Sequence, residues 1–428
     1  MNSMDTVESK RDKRLFLLVN CLMSGYLVLR ILQRVIFAWN DLNRYSSSWG
    51  VTDYMINYQG GYVRRGLLGE MIYQLSLLNT FIDPRFYIVL ISMVSLVLVV
   101  WFFIWNFKKH GLCWWILPLN VCLMGAYDLI RKDFLCALLV ILTFHVYSHV
   151  RKPWLRLVVV MMLAGLSLNV HECTFFMMCP MLMWLFLKEK GVGLTYKCLG
   201  VFIPIVLMAV VCFHKGDVMV AEKIWRSWAA ADEAFSVGSP CASIQAIGWE
   251  TRYAVDYHLN VNFLKPSYFI YGWYSKPIVW SLIVFVSINV AFLHKRKENL
   301  KESEEVGRLL SILVFQFFSL LPMFTVLSCD GARCCFYWLV SSMTVYFCIQ
   351  PRQAVGLFPV FYTSAIRKLQ GVIITRNSWR FATVAVLFLA ISQNYTNLLG
   401  AIFDTVVGTY AYVVVMFLEK IMGIALFA

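Results

Sequence analysis

Charge is scarce in this sequence. Only 14% of its 428 residues are charged, where a soluble domain of ordinary composition carries about a quarter. That scarcity excludes the two or three water-soluble domains that length alone would allow. Acidic residues are scarcer than basic ones, 24 against 38, for a formal net charge of +14. The basic excess is not gathered on one segment. It recurs in short clusters between apolar runs, which argues against a nucleic-acid partner and matches the loop charges that orient a membrane protein. The 13 cysteines form no CxxC or Cys/His set, so no zinc site is expected. No Walker motif stands in the basic segments, which argues against an ATP-driven pump. No repeat recurs at fixed spacing, and the alternating ten-residue segments of a transmembrane β-barrel are absent.

Apolar length is what the chain has instead: 60% hydrophobic residues and a mean hydropathy of +0.68. Many runs reach the roughly 20 residues that cross a bilayer as a helix. The class is an all-α polytopic membrane protein, a single integral-membrane domain over 1–428. Spans fall at about 15–37, 86–106, 112–130, 134–149, 154–170, 173–187, 197–213, 277–293, 309–328, 334–350, 381–398 and 401–418. The last of these reads equally as an amphipathic tail, so about eleven or twelve are expected. A basic patch, Lys10 to Arg14, precedes the first apolar run with no small-residue cleavage site after it. The N-terminus therefore reads as cytoplasmic, ahead of an uncleaved first span. Basic clusters at Lys108 and Lys109, Arg151 to Arg156, Lys188 to Lys197, Lys295 to Arg308 and Arg352 to Arg380 fall on that same side. Two long segments, 38–85 and 214–276, are then outside; 294–308, a charged and solvated linker, and 351–380 are inside. Cys122, Cys136, Cys179, Cys198 and Cys212 lie in spans as small apolar residues, Cys334 and Cys335 read as packing, and Cys241 reads as a free thiol outside.

The unusual polar residues map to one face of this topology. "TDYMINYQGGYVRRGLLGE" follows the first span. "AYDLIRKDF" holds Asp128, Arg131, Lys132 and Asp133; "LNVHECTFF" holds His171 and Glu172; "SCDGARCCF" holds Asp330 and Arg333. Each turn alone reads as helix capping and local pairing. Together they point to one outward-opening pocket, because charge at the edge of hydrocarbon is costly and tends to be paired or functional. Val63, Leu67, Leu68, Met71, Ile72 and Leu75 have helical spacing, which predicts a helix along the outer interface, entered through Gly60 and Gly61. Arg64 and Arg65 fall in its first turn, at headgroup depth. There the planar guanidinium suits a lipid phosphate; generic attraction to anionic headgroups is the plainer alternative. Asp53 is the candidate general base, with Glu70 and Asp41 as rivals, and it reads equally as a helix N-cap. Trp225, Trp228 and Trp249 in the aromatic loop 214–276 are candidate sugar-stacking platforms or members of an interfacial belt, while Tyr271, Trp273 and Tyr274 read as a belt beside the next span.

Together these features resemble the GT-C class of integral-membrane glycosyltransferases, which use sugars carried on polyprenyl phosphate or diphosphate. The layout is also similar to bacterial O-antigen-modifying enzymes and O-antigen polymerases. The resemblance covers the overall layout. It implies a first-loop acid, matched by Asp53, and outer-face arginines that hold the lipid phosphate, matched by Arg64 and Arg65. The tandem acidic pair common in the first loop of the class is absent, since Tyr54 follows Asp53. The implied activity is sugar transfer from a polyprenyl-phosphate carrier to a glycan or lipid-glycan acceptor, at the periplasmic face of the inner membrane and without a cofactor or metal. In that reading Arg131 or Arg333 completes the phosphate cage, with Lys132 a further phosphate ligand, while Asp128, Asp133, His171, Glu172 and Asp330 position hydroxyls or arginines. A polymerase joining diphosphate-linked repeat units is the enzymatic alternative. A transporter would place its charges at the membrane midplane on broken helices.

Overall fold

The structure is a computed structural model. It describes residues 46–110, 129–260, 301–328, 331–349 and 357–373, with scattered positions in 14–43 and 410–414. The described chain is all-α. Four of its helices are long and apolar enough to cross a membrane: Pro84–Lys109, Pro153–Val170, Leu194–Phe213 and Glu305–Thr325. Two shorter apolar helices, Asp133–His149 and Cys173–Lys188, run among them.

In chain order the helices are α1 (Trp49–Tyr54), α2 (Gly66–Leu78), α3 (Pro84–Lys109), α4 (Asp133–His149), α5 (Pro153–Val170), α6 (Cys173–Lys188) and α7 (Leu194–Phe213). They continue with α8 (Val218–Ser227), α9 (Ala234–Val237), α10 (Ala242–Ile247), α11 (Thr251–Leu259), α12 (Lys301–Thr325), α13 (Gly331–Cys348) and α14 (Val360–Ile373). Sequence-level signals set several of the starts. Pro84 and Pro153 open α3 and α5, where the missing N–H costs nothing. The Asp83 and Asp217 carboxylates cap α3 and α8 by accepting from the Arg85 and Val220 amides, at 2.7 and 2.8 Å.

Seven helices coincide with predicted spans to within a few residues at most ends. The exception is α12, which begins at Lys301 rather than 309. The expected solvated linker is therefore partly helical, in keeping with the good helix formers Lys, Glu and Arg that compose it. The segment 351–380, expected inside, contains α14, whose Tyr362 hydroxyl donates to the Ser311 carbonyl of α12 (2.6 Å). Described residues of the 15–37 span are helical. The spans at 277–293 and 381–398 lie outside the described residues, as do nearly all of 112–130 and 401–418.

Helix α4 sits between α3, α5 and α13, while α6 packs on α7 and α12, and α12 on α13. Phe134, Val140, Phe144, Met177, Cys179, Leu313, Cys335 and Val345 are buried in this bundle. The outer sides of α3 (Val97, Trp101, Trp105) and α7 (Phe202, Ile205, Val206) stay apolar and exposed, as lipid-facing surfaces do. At one end of the bundle Arg156 pairs with Glu189 and lies over the Tyr147 ring, joining α4, α5 and α6. At the other end α1, α2 and α8 to α11 form a cap. In it α1 packs on α10, α10 on α8, and α2 on α3 and α5.

Helix α2 lies where the apolar spacing from Val63 to Leu75 predicts a helix. It buries Leu68 and Ile72 against the protein and turns Met71, Leu75 and Leu78 outward. Gly69 is where it meets the chain leaving α1: a Cβ there would lie 1.9 Å from the Ile56 carbonyl oxygen. That contact holds the loop bearing Arg64 and Arg65 close to Asp53.

Candidate functional site

Helix α1 begins at a capped end, and the cap is Ser48, whose hydroxyl accepts from the Val51 amide (3.3 Å). Asp53 lies in the last turn of α1, so the N-cap reading of Asp53 does not hold. Thr52 and Ser243 fasten α1 to α10: the Ser243 amide donates to the Thr52 hydroxyl at 3.1 Å, and the Ser243 hydroxyl to the Trp49 carbonyl at 2.8 Å. Asp53 is thereby held at the base of the cap, and it is buried. Its Oδ1 has no hydrogen-bond partner among the described residues; Arg65 Nη1 lies 3.6 Å away.

The two arginines stand just before α2 rather than in its first turn. They are partly buried, not open at headgroup depth. Arg65 has φ 65° and ψ 1°, a left-handed backbone that non-glycine residues adopt at a cost of about 1–3 kcal/mol. Two contacts hold it there. The fully buried Lys132 ammonium donates to the Arg65 carbonyl at 3.0 Å. Glu172 takes the guanidinium in a fork, from Nε at 2.7 Å and from Nη2. Arg64 Nη1 reaches the same carboxylate at 3.3 Å, while its Nε is buried without a hydrogen-bond partner. His171 Nδ1, which accepts from the Cys173 amide at 3.2 Å, is 3.5 Å from the far Glu172 oxygen.

The turn before α4 and the start of α13 meet beside this group. Arg333 donates to Asp133 in a fork, Nε to Oδ2 at 2.9 Å and Nη2 to Oδ1 at 2.7 Å. The Tyr337 hydroxyl donates to Asp133 and accepts from Arg333 Nη2 at 2.9 Å. The Tyr54 hydroxyl donates to the Arg131 carbonyl (3.1 Å) and accepts from Ser92 (2.8 Å), tying α1 to the same turn. Tyr54 and Tyr337 were not singled out from the sequence. Each is one or four residues from a charged group that was, and nothing in the sequence marks it beyond that.

Four distant stretches thus converge on one cage at one end of the bundle. Among the described residues five cations (Arg64, Arg65, Arg131, Lys132, Arg333) meet three carboxylates (Asp53, Asp133, Glu172). Burial alone would raise the Asp53 carboxyl; the nearby Lys132 ammonium and then the Arg65 and Arg333 guanidiniums outweigh it and hold the pKa below normal. Glu172 behaves likewise and lies well below normal, with Arg65 its largest opposing influence after burial. Burial lowers the Lys132 ammonium, which Asp53 partly offsets. Both carboxyls are depressed in the folded state relative to unfolded values of about 3.9 and 4.3. Their stabilisation is therefore complete above the unfolded values and is lost as pH falls through the folded ones. The unfolding midpoint of the detergent-solubilised protein is expected to be level near neutrality and to drop below about pH 4.5. Glu172→Gln should flatten that acid limb; an equally steep limb in the variant would assign the effect to other groups.

The remaining candidates lie elsewhere. Glu70 is on the open side of α2, where it accepts from the Tyr58 amide (2.9 Å) and the Gln74 side chain (2.7 Å) and closes the entry loop rather than joining the cage. Trp225 and Trp228 are buried inside the cap. Trp225 packs on Phe235 and Trp228 on Tyr73, and Trp228 Nε1 donates to the Met55 carbonyl at 2.8 Å. Their rings are consumed by packing and offer no open platform. Trp249 is half-buried among Trp49, Tyr253 and Tyr257. Asp41, Asp128, Asp330, Tyr271, Trp273 and Tyr274 lie outside the described residues. No group of three or more His, Cys, Asp or Glu side chains able to hold a metal ion occurs among the described residues. Cys334 and Cys335 are buried, Cys334 Sγ donating to the Met323 carbonyl at 3.4 Å, and Cys241 is a free thiol whose Sγ donates to the Ser46 carbonyl.

No family model matches the chain, and neither a curated protein nor a solved structure is significantly similar to it.

Proposed function

We propose that the protein is a membrane glycosyltransferase of GT-C type, with about eleven or twelve spans, a cytoplasmic N-terminus and its site at the periplasmic face of a bacterial inner membrane. It moves a sugar from a polyprenyl-phosphate carrier to a surface glycan, such as an O-antigen or other lipopolysaccharide chain. The observation that carries this reading is the buried cage, where among the described residues five cations meet three carboxylates and one carboxylate oxygen, Asp53 Oδ1, has no hydrogen-bond partner. A phosphate group supplies the missing negative charge and accepts from fixed donors, and such donors act most strongly where water is excluded.

The chemistry follows from the charges. An acceptor hydroxyl attacks the anomeric carbon while Asp53 removes its proton. The bond from that carbon to the phosphate oxygen breaks, and the electron pair leaves with the phosphate, where Arg64, Arg65, Lys132 and Arg333 stabilise it. In the free protein Lys132 and Arg65 depress the Asp53 carboxyl. A bound phosphate screens those cations, so Asp53 becomes a stronger base only when the donor is in place. Such transfer needs no nucleotide and no metal.

The reading is tested with purified protein in lipid nanodiscs, supplied with polyprenyl-phosphate-linked sugars and lipid-free oligosaccharide from the host surface glycan. Release of polyprenyl phosphate together with a lengthened or branched oligosaccharide is expected. Full retention of the donor across the host's lipid-linked sugars would overturn it. Product consisting only of joined repeat units, from diphosphate carriers alone, would replace it with the polymerase.

A further inference from the structure

Helix α11 is unusual in the cap because it buries none of its residues. One side of it is aromatic. Trp249, just before the helix, and Tyr253 and Tyr257 follow at four-residue spacing, with ring centroids 5.3 to 6.4 Å apart. Trp49 of α1 meets Trp249 edge-on at 6.4 Å. Trp49, Tyr253 and Tyr257 are 48%, 54% and 38% exposed. Glu250 and the exposed Arg252–Asp256 ion pair (3.8 Å) are interleaved with these rings in the sequence. Such density of charge is costly against lipid. It suits a ligand with both apolar C–H faces and hydroxyls, which is the chemistry of a saccharide.

The patch is joined to the cage at two points. Trp49 opens α1, and Asp53 lies one helical turn later on the same helix. His258 follows Tyr257 on α11. Its Nδ1 is buried and has no hydrogen-bond partner among the described residues. Burial and then the neighbouring Arg65 guanidinium lower its pKa, so the imidazole is neutral near pH 7. A neutral imidazole can donate and accept, which matches a hydroxyl better than a phosphate. Asp53 Oδ1, Arg64 Nε and His258 Nδ1 are each buried without a hydrogen-bond partner among the described residues, and groups of that kind call for an explanation such as a bound ligand.

We propose that Trp49, Trp249, Tyr253 and Tyr257 form a stacking track for the saccharide acceptor, and that His258 holds the acceptor hydroxyl beside Asp53. The assignment rests on the transferase reading for its chemistry, but saccharide binding is measurable without transfer. The track delivers the chain end to the base from the cap side, leaving the arginine side of the cage to the phosphate.

The test has two arms on the full-length protein in nanodiscs. The first titrates lipid-free oligosaccharide from the host surface glycan in the absence of any donor, comparing wild type with Trp249→Ala, Tyr253→Ala, His258→Ala and His258→Asn. Binding weakened about tenfold or more is expected in the three alanine variants. His258→Asn should recover most of it, because the Asn amide reproduces a polar atom near Nδ1. The second arm measures transfer: the Michaelis constant for the acceptor should rise in the same variants, while that for the donor stays within about twofold. Saccharide binding unchanged in Trp249→Ala and His258→Ala overturns the assignment and leaves the rings as an interfacial belt; so does a rise in the donor constant alone. Saccharide binding that follows the expected pattern in a protein showing no transfer would keep the subsite and remove the transferase reading.

Discussion

Asp53→Asn is expected to reduce sugar transfer by about a hundred- to ten-thousand-fold while leaving the protein folded and the donor bound. The size is that of removing a positioned general base. The direction of the binding effect is the more telling part. Asn has the shape of Asp without its charge, and Asp53 is one of only three described carboxylates among five cations. Its loss makes the cage more positive. An anionic donor should therefore bind as well as before or more tightly, so kcat falls and the donor Michaelis constant does not rise. A purely structural Asp53 predicts another pattern. Loss of its 3.6 Å pairing with Arg65 would loosen the arginine, lower the unfolding midpoint and weaken donor binding together. Measuring kcat, donor affinity and unfolding midpoint on the same preparation separates the two. Transfer retained within about threefold would remove Asp53 from the chemistry.

Much of this arrangement was legible because water-seeking residues are conspicuous in a greasy chain. The apolar windows 86–106, 154–170 and 173–187 end within three residues of the helices Pro84–Lys109, Pro153–Val170 and Cys173–Lys188. The loop-charge rule put Asp133, Glu172 and Arg333 on one face, and the structure brings all three into the cage. What composition could not supply was partnership. Arg333 and Asp133 are 200 positions apart, and nothing local says that Arg333 joins Asp133 while Glu172 takes both Arg64 and Arg65. Capping misled at Asp53 because Ser48, five residues earlier, is the side chain that reaches a free amide. Aromatic platforms misled at Trp225 and Trp228 because ring exposure depends on how α8 seats on α10 and on the Met55 carbonyl, a tertiary matter. His258 gave no signal at all. A lone histidine in an aromatic loop reads as ordinary, and only a buried nitrogen without a partner among the described residues sets it apart.

Glu172→Ala is expected to be the most damaging single change for folding. Glu172 sits in the two-residue turn between α5 and α6, where it holds Arg65 by a fork and Arg64 by one bond. Both guanidiniums are mostly shielded, at 28% and 23% side-chain exposure. Deleting the carboxylate leaves them side by side near Lys132, with Asp53 as the nearest counter-charge. Breaking a buried pair from one side in this way costs about 3–5 kcal/mol, chiefly through the charges left unpaired. It also frees Arg65 from one of the two contacts that keep its left-handed backbone, so the loop carrying the phosphate ligands should relax. Little monodisperse protein is expected after extraction in mild detergent. Glu172→Gln, which keeps the shape and one acceptor oxygen, should be milder. The double variant Glu172→Ala, Arg65→Ala should recover a large part of the loss, because it removes the stranded charge along with its partner. An additive double variant, or a Glu172→Ala protein as stable as wild type, would mean that the fork is an exposed and dispensable pair, and that the cage does not need Glu172 to hold its arginines in place.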